Sequence, residues 1–286
     1  MATTGDHKVG DGVSVGNSQP VRQSRTGNSW LAPKAPDLVW FSGADAVGFL
    51  NDLISQEIAT MSAGEVRRSF LLGPQGKLDH LLWVVRTKDR VGLITDPGRG
   101  RELISTLSRY RIRVDVQIEP EQHRIWLVMG EWDGIDVSWE GRSRTLVVGD
   151  RPDLPDGSSM DYEIARIKAG EPTWGAETSD QTLPHATGLV PFAVDFTKGC
   201  FLGQELVARM DSRGGSAPTS LCWIDLADEA LAGAELVVDG SSVGTLTSVV
   251  ERHGLGLVQR AVSSGDTVSV GPTIGVVREI TRNPQT

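Results

Sequence analysis

Ala46, Phe49, Leu50, Leu53 and Ile54 recur at helical spacing and predict an amphipathic helix directly after the apolar run Asp37–Phe41, which reads as a strand. Between them, Ser42-Gly43-Ala44-Asp45 has the spacing of a capping box with Ser42 as N-cap. Strand-like runs at Ser69–Leu72 and Leu78–Val85 flank Pro74-Gln75-Gly76-Lys77, whose proline and glycine supply turn geometry, so the segment predicts a hairpin. Val91–Thr95 continues as a strand. Asp96-Pro97 then opens a helix carrying Leu103, Ile104, Leu107 and Tyr110, and Val114–Ile118 returns as a strand. That order describes an α+β unit with a largely antiparallel sheet.

Three short strands follow, at His123–Val128, Val137–Trp139 and Arg144–Val148, and then a helix over about Asp161–Ala169 that Gly170 closes. Ser212–Pro218 reads as a hinge. Beyond it the pattern changes to short β-rich runs at Glu235–Val238, Val243–Val250, Leu255–Arg260, Val268–Val270 and Gly275–Ile280, the signature of a small antiparallel barrel. Residues 1 to about 35 hold few large apolar groups and read as a flexible tail.

Composition narrows the function classes. With 286 residues the chain is expected to form two or three packed units. No apolar run is long enough to span a bilayer and no leader-like start is seen, so a cytoplasmic protein with no membrane partner is expected. Two cysteines, Cys200 and Cys222, form no disulfide framework and suit a reducing compartment. The formal net charge of -9 disfavours nucleic-acid binding, which normally shows a basic excess. Local cationic groups such as Arg67 and Arg68, or Arg99, Arg101, Arg109, Arg111 and Arg113, remain available to an anionic small molecule. The five histidines are scattered and none forms a short-spaced ligand pair, so no metal site is expected.

The most specific signal is Lys198-Gly199-Cys200-Phe201-Leu202-Gly203-Gln204-Glu205-Leu206-Val207-Ala208-Arg209. Here a cysteine stands between two glycines, beside a lysine and just ahead of a helix expected to start near Gly203, an arrangement that favours a thiolate. Cys222, on an alternating strand pattern with Trp223 and Ile224, reads as core. Through Lys198, Gly199, Cys200, Gly203, Gln204, Glu205 and Arg209 the segment resembles the signature of the YgfZ family, folate-binding relatives of the glycine-cleavage aminomethyltransferase associated with iron–sulfur cluster assembly or maintenance. Phe201 stands where that family usually has tyrosine. Phe41–Asp45 with Phe49–Leu53, Pro74–Lys77 and Arg166–Gly175 look like further landmarks in the same order.

The resemblance implies a three-lobed, aminomethyltransferase-like α+β ring. Its lobes would comprise residues 36–120, completed by about 190–212, then 121–189, with a C-terminal β-barrel at 213–286. It implies binding of tetrahydrofolate or a derivative, with Asp79, Arg166, Lys168 and Phe201 as cofactor-binding candidates and Cys200 and Asp79 as catalytic ones. The implied partners are a reduced folate and iron–sulfur enzymes or assembly factors, with the chain a monomer. One thiol cannot hold a cluster, which typically takes four. A tetrahydrofolate-dependent aminomethyltransferase or demethylase is the rival, set back by His80 and Lys168 at positions where transferases carry acids. A non-catalytic folate-binding adaptor is the third reading.

Overall fold

A computed structural model of the protein describes residues 29–212 and 217–282. In chain order its elements are β1 (Trp30–Leu31), β2 (Asp37–Ser42), α1 (Ala46–Asn51), β3 (Val66–Leu72), β4 (Leu78–Arg86), β5 (Val91–Thr95), α2 (Gly100–Ser108) and β6 (Gln117–Pro120). There follow β7 (Ile125–Met129), β8 (Ile135–Asp136), β9 (Arg144–Val148), α3 (Ser159–Lys168), a 3₁₀ turn at Pro184–Thr187, α4 (Val190–Ala193) and α5 (Gln204–Ser212). The last elements are β10 (Thr219–Leu226), β11 (Glu235–Val238), β12 (Ser241–Val250), β13 (His253–Gln259), β14 (Thr267–Val270) and β15 (Thr273–Glu279).

The first lobe is a five-stranded antiparallel sheet in the order β3-β4-β5-β2-β6. Its central strand β5 is buried along its whole length because both faces are covered. On one face Val39, Phe41, Val84 and Leu93 pack against Leu50, Leu103 and Leu107 of α1 and α2. On the other, Leu38, Val85 and Ile94 meet Leu127, Val137 and Leu146 of the second lobe, a four-stranded sheet in the order β1-β7-β9-β8. The segment carrying α4 returns to the first lobe, where Ser55 Oγ donates to the Ala193 carbonyl at 2.6 Å. Strands β10 to β15 close a six-stranded barrel around Ile224, Leu236, Leu246 and Val268. The architecture is therefore α+β, with few helices and a closed C-terminal barrel.

Four local expectations are corrected. The tail does not extend to residue 35: residues 1–28 lie outside the described residues, but Trp30 and Leu31 pair with Met129 and Val128, and Leu31 is 1% exposed. Two apolar residues were diluted in a polar average. Ser42 ends β2 rather than capping α1; the N-cap is Asp45, whose carboxylate instead accepts from the Asp115 backbone at 2.7 Å. Helix α2 begins at Gly100, three positions beyond Pro97, because Asp37 of β2 caps it by accepting from Gly100 N at 2.7 Å. The strand expected at Val137–Trp139 is paired at Ile135–Asp136, which leaves Trp139 free to turn inward. Most of the expected hinge, residues 213–216, lies outside the described residues.

Candidate functional site

A chamber of about 90 Å³ lies between the two sheets, walled by β4 and β5 on one side, by β7 and α3 on the other, and by Glu171–Thr173 between them. Strand alternation sends Arg68 of β3 toward it, while its neighbour Arg67 turns outward to Glu65. The Arg68 guanidinium sits in the corner of two perpendicular indoles, its carbon 4.0 Å from the Trp83 ring centre and 4.1 Å from that of Trp139, the two ring centres being 6.0 Å apart. Such cation–π contacts gain strength when desolvated, as here. Arg68 Nη2 donates to Glu171 Oε1 at 2.5 Å, and Arg144 Nη1 donates to the other oxygen of the same carboxylate.

Burial opposes the ionisation of Glu171, but the Arg144 and Arg68 charges outweigh it and hold the carboxyl down at about 2. Asp96 behaves differently. Burial raises its pKa, against the hydrogen bonds it accepts from Thr173 Oγ1 at 2.7 Å and from Trp174 N at 3.3 Å. Tyr162, also in the lining, is pushed up to about 12 by burial, with Glu171 adding to the shift. Arg68 Nε, Arg144 Nε and Nη2, and Trp139 Nε1 are buried and meet no acceptor among the described residues. The chamber thus combines one indole, Trp83, one ionised carboxylate, one carboxyl whose pKa burial raises, and unpaired donors at its edge.

The residues singled out from sequence do not assemble in it. Arg166 touches the lining, yet all five of its donors are engaged: Nε and Nη2 on Glu163, Nη1 on the Glu171 carbonyl and Glu177, and Nη2 also on Ser248 Oγ at 2.6 Å. Arg166 therefore clamps α3 to the barrel and has no donor left for a ligand. Lys168, two positions on, is exposed in a separate depression beside Trp223, Asp225 and Arg278. Asp79 is outside the lining, its pKa raised by burial and by Glu102 against the pull of Arg99. His80 is fully buried with Nδ1 3.1 Å from Thr95 Oγ1, and burial, helped by the charge of Arg99, pushes it down to about 3, so it stays neutral.

The signature segment forms a surface loop ahead of α5. Cys200 is exposed, whereas Cys222 is partly buried against the barrel core and its thiol is pushed up to about 11 by burial, with Glu279 adding to the shift. Lys198 does not turn its charge to the thiol. Its ammonium donates to the carbonyls of Ile54 at 2.8 Å, Gln56 at 3.0 Å and Asn51, filling its three donor positions on the end of α1 and the turn after it. Phe201 is a core residue in the cluster that contains Trp139, Leu72 and Leu78, so its ring supports the chamber wall from outside the lining.

The glycines of two landmarks explain each other. Gly203 has φ +74°, and a Cβ there would stand 2.5 Å from the Gly73 carbonyl oxygen; Gly76 has φ +73°, and its Cβ would meet Leu206 Cβ at 2.7 Å. The hairpin turn and the start of α5 approach too closely for side chains. Gln204 closes the turn by accepting from Phe201 N at 3.0 Å, while Glu205 and Arg209 form an exposed i,i+4 pair.

Sequence reasoning missed Glu171, Asp96, Arg144, Trp83 and Trp139 as site residues. A glutamate after a glycine carries no local signal, and what marks Glu171 is its partners, 103 and 27 residues away. Among the described residues no group of three His, Cys, Asp or Glu side chains is placed to hold a metal ion, and no helix is long and apolar enough to cross a membrane.

No protein-family model matches the chain. It is 25% identical over 232 residues to a Haemophilus influenzae protein described only as uncharacterized, covering 76% of this chain and 83% of that protein. It is 23% identical over 216 residues to the tRNA-modifying protein YgfZ of Shigella dysenteriae, covering 63% of this chain and 66% of that protein. The structure matches that of the glycine cleavage system aminomethyltransferase T from Bartonella henselae with a TM-score of 0.74 at 17% identity, over 88% of this chain and 85% of that one. The resemblance to YgfZ and the aminomethyltransferase fold read from sequence are thus both supported.

Proposed function

We propose that this chain, similar to YgfZ over 63% of its length and folded as an aminomethyltransferase T, binds a reduced folate at the lobe junction and acts as an accessory protein for iron–sulfur enzymes. The observation that carries the reading is the chamber itself, because an indole with a buried carboxylate suits a planar heterocycle bearing adjacent N–H donors. In chemistry the residues fit a pterin: Trp83 offers an aromatic surface, Glu171 and Asp96 offer acceptors. In volume they fit only after rearrangement, since ligand pockets usually span about 300–1,000 Å³ and the chamber holds about 90 Å³. A bound tetrahydrofolate would supply one-carbon chemistry.

Three placements favour an accessory role over efficient aminomethyl transfer: Asp79 outside the chamber, His80 neutral and Lys168 on the surface. Cys200, the exposed thiol, is the proposed point of contact with client proteins, and the name of the Shigella relative suggests clients that act on tRNA. Calorimetric titration with tetrahydrofolate tests the binding claim, and no heat at millimolar ligand would sink it. Cys200→Ala is expected to fail in restoring iron–sulfur enzyme activity to cells lacking the protein. Full restoration would remove the thiol from the proposal, and enzyme-like rates in a reconstituted lipoyl-carrier assay would revive the transferase.

A further inference from the structure

We infer that this chain pairs with a second copy of itself across α1, each copy seating its Ile112 in a depression beside α1 of the other. The inference goes beyond the folate reading and does not depend on it. The depression holds about 560 Å³ and lies between α1 and the segment that joins α2 to β6. Phe49 and Leu53 wall it on one side and Tyr110 and Val114 on the other, all four packed in the core cluster beneath α1 and α2. The two charged residues of the lining, Asp45 and Asp52, are both acids. Gly48 keeps the mouth open, because a Cβ there would meet nothing within 4 Å.

The same segment builds the matching projection. Tyr110 and Val114 pack against the core, while Ile112 between them is 72% exposed. A tight turn puts it there: Ile112 N donates to the Tyr110 carbonyl at 2.9 Å, and Arg113 has φ +57°, a left-handed position that few non-glycine residues adopt. Arg111 and Arg113, on either side of the isoleucine, are also exposed. Among the described residues neither arginine forms an ion pair, and neither does Asp45 or Asp52. One surface thus carries an apolar projection flanked by cations and, beside it, an apolar depression rimmed by anions. A two-fold axis between them places the projection of each copy in the depression of the other, so that both contacts form at once. The arginines then face the aspartates across the interface, which orients the pair more than it tightens it. A segment of another protein would fill the depression and leave Ile112 in water, whereas a second copy covers both, and this is the argument against the monomer that the family resemblance implies. The surface adjoins the signature segment, since Lys198 donates to the carbonyl of Asn51, next to Asp52.

A contact of this size belongs to the weak class, so the full chain is expected to associate in sedimentation velocity with a Kd on the order of 50 μM. Ile112→Asp places a charge on the projection, and Gly48→Gln fills the depression from a position with open space. Each substitution acts twice in a symmetric pair, so either variant alone is expected to associate about 100-fold more weakly than wild type. Mixing the two restores one contact, the depression of the first variant with the isoleucine of the second, and should recover about tenfold of that loss. Raising salt from about 50 to 500 mM should weaken wild-type association as the arginine–aspartate pairs are screened. A wild type that stays monomeric at millimolar concentration would overturn the pairing and leave the depression to another protein. Association that survives Ile112→Asp would overturn it as well. A mixture no tighter than its components would refute the insertion of Ile112, and indifference to salt would refute the charge match. Should one variant fail to fold, the other and the salt series decide.

Discussion

Replacing Lys198 with methionine keeps the aliphatic stem and removes only the ammonium, which isolates what that charge does. In the folded chain Nζ donates to three carbonyls, that of Asn51 at the end of α1 and those of Ile54 and Gln56 just beyond it. The Asn51 carbonyl is one of the acceptors the terminus of α1 leaves without a partner, and Ile54 and Gln56 lie in the turn that follows it. A hydrogen bond to a charged group contributes about 1.5–3 kcal/mol net, but one ammonium shared among three acceptors at a half-buried site is not additive, so the expected loss is about 2–4 kcal/mol. Lys198→Arg should recover less than half of it, because a planar fork cannot converge on three carbonyls as a tetrahedral ammonium does. Urea denaturation of wild type and both variants measures the loss, and iodoacetamide labelling of Cys200 in the folded proteins measures the effect on the thiol. A Lys198→Met protein within about 0.5 kcal/mol of wild type, yet alkylated at Cys200 about tenfold more slowly, would refute the anchoring argument and restore an electrostatic role toward the thiol.

Gly203→Ala is expected to cost more than about 2 kcal/mol, combining a left-handed backbone position with a Cβ placed against a carbonyl oxygen; chemical denaturation checks it, and a neutral result would mean that the hairpin turn and α5 separate without penalty. Acid should destabilise the protein in two overlapping stages. His80 takes a proton at its ordinary 6.5 when unfolded and only at about 3 when folded, so its contribution, on the order of a few kcal/mol, is present above 6.5 and lost as pH falls toward 3. Glu171, held at about 2 against an ordinary 4.5, adds a loss below 4.5, while Asp96, raised by burial, works in the opposite direction. His80→Gln should flatten the first stage in denaturation midpoints measured from pH 7 to pH 4, and an unchanged slope would exclude His80 as its source.

Where the physical cause is local, the sequence is readable. The hairpin of β3 and β4 follows from apolar strands around a Pro-Gly turn, and the barrel from alternation that puts Leu236, Leu246, Val268 and Val270 inside. The helix start near Gly203 follows in the same way from glycine, and the structure begins α5 at Gln204. The misreadings share a different cause. Ser42 and Pro97 look like helix starts, but α1 begins after an Asp45 whose side chain is engaged by Asp115, 70 residues away, and α2 is capped by Asp37, 63 residues before it. A capping pattern predicts a cap only when no distant group competes for the same donor.

The same reasoning explains why the candidate site moved. A charged residue's place on a polar stretch or in a motif says little about its role when its charge is satisfied across lobes. Arg166 fits the motif, but its five donors are engaged within the protein, whereas Glu171 fits no motif and gathers Arg68 and Arg144. Burying an ionised carboxylate between two cations is expensive unless its geometry is complete, and apolar replacements often match or exceed such a group in stability. On that argument Glu171, Arg68 and Arg144 join the lobes by a cluster whose worth lies in its complete geometry, with both carboxylate oxygens engaged and Arg68 in the corner of two perpendicular indoles.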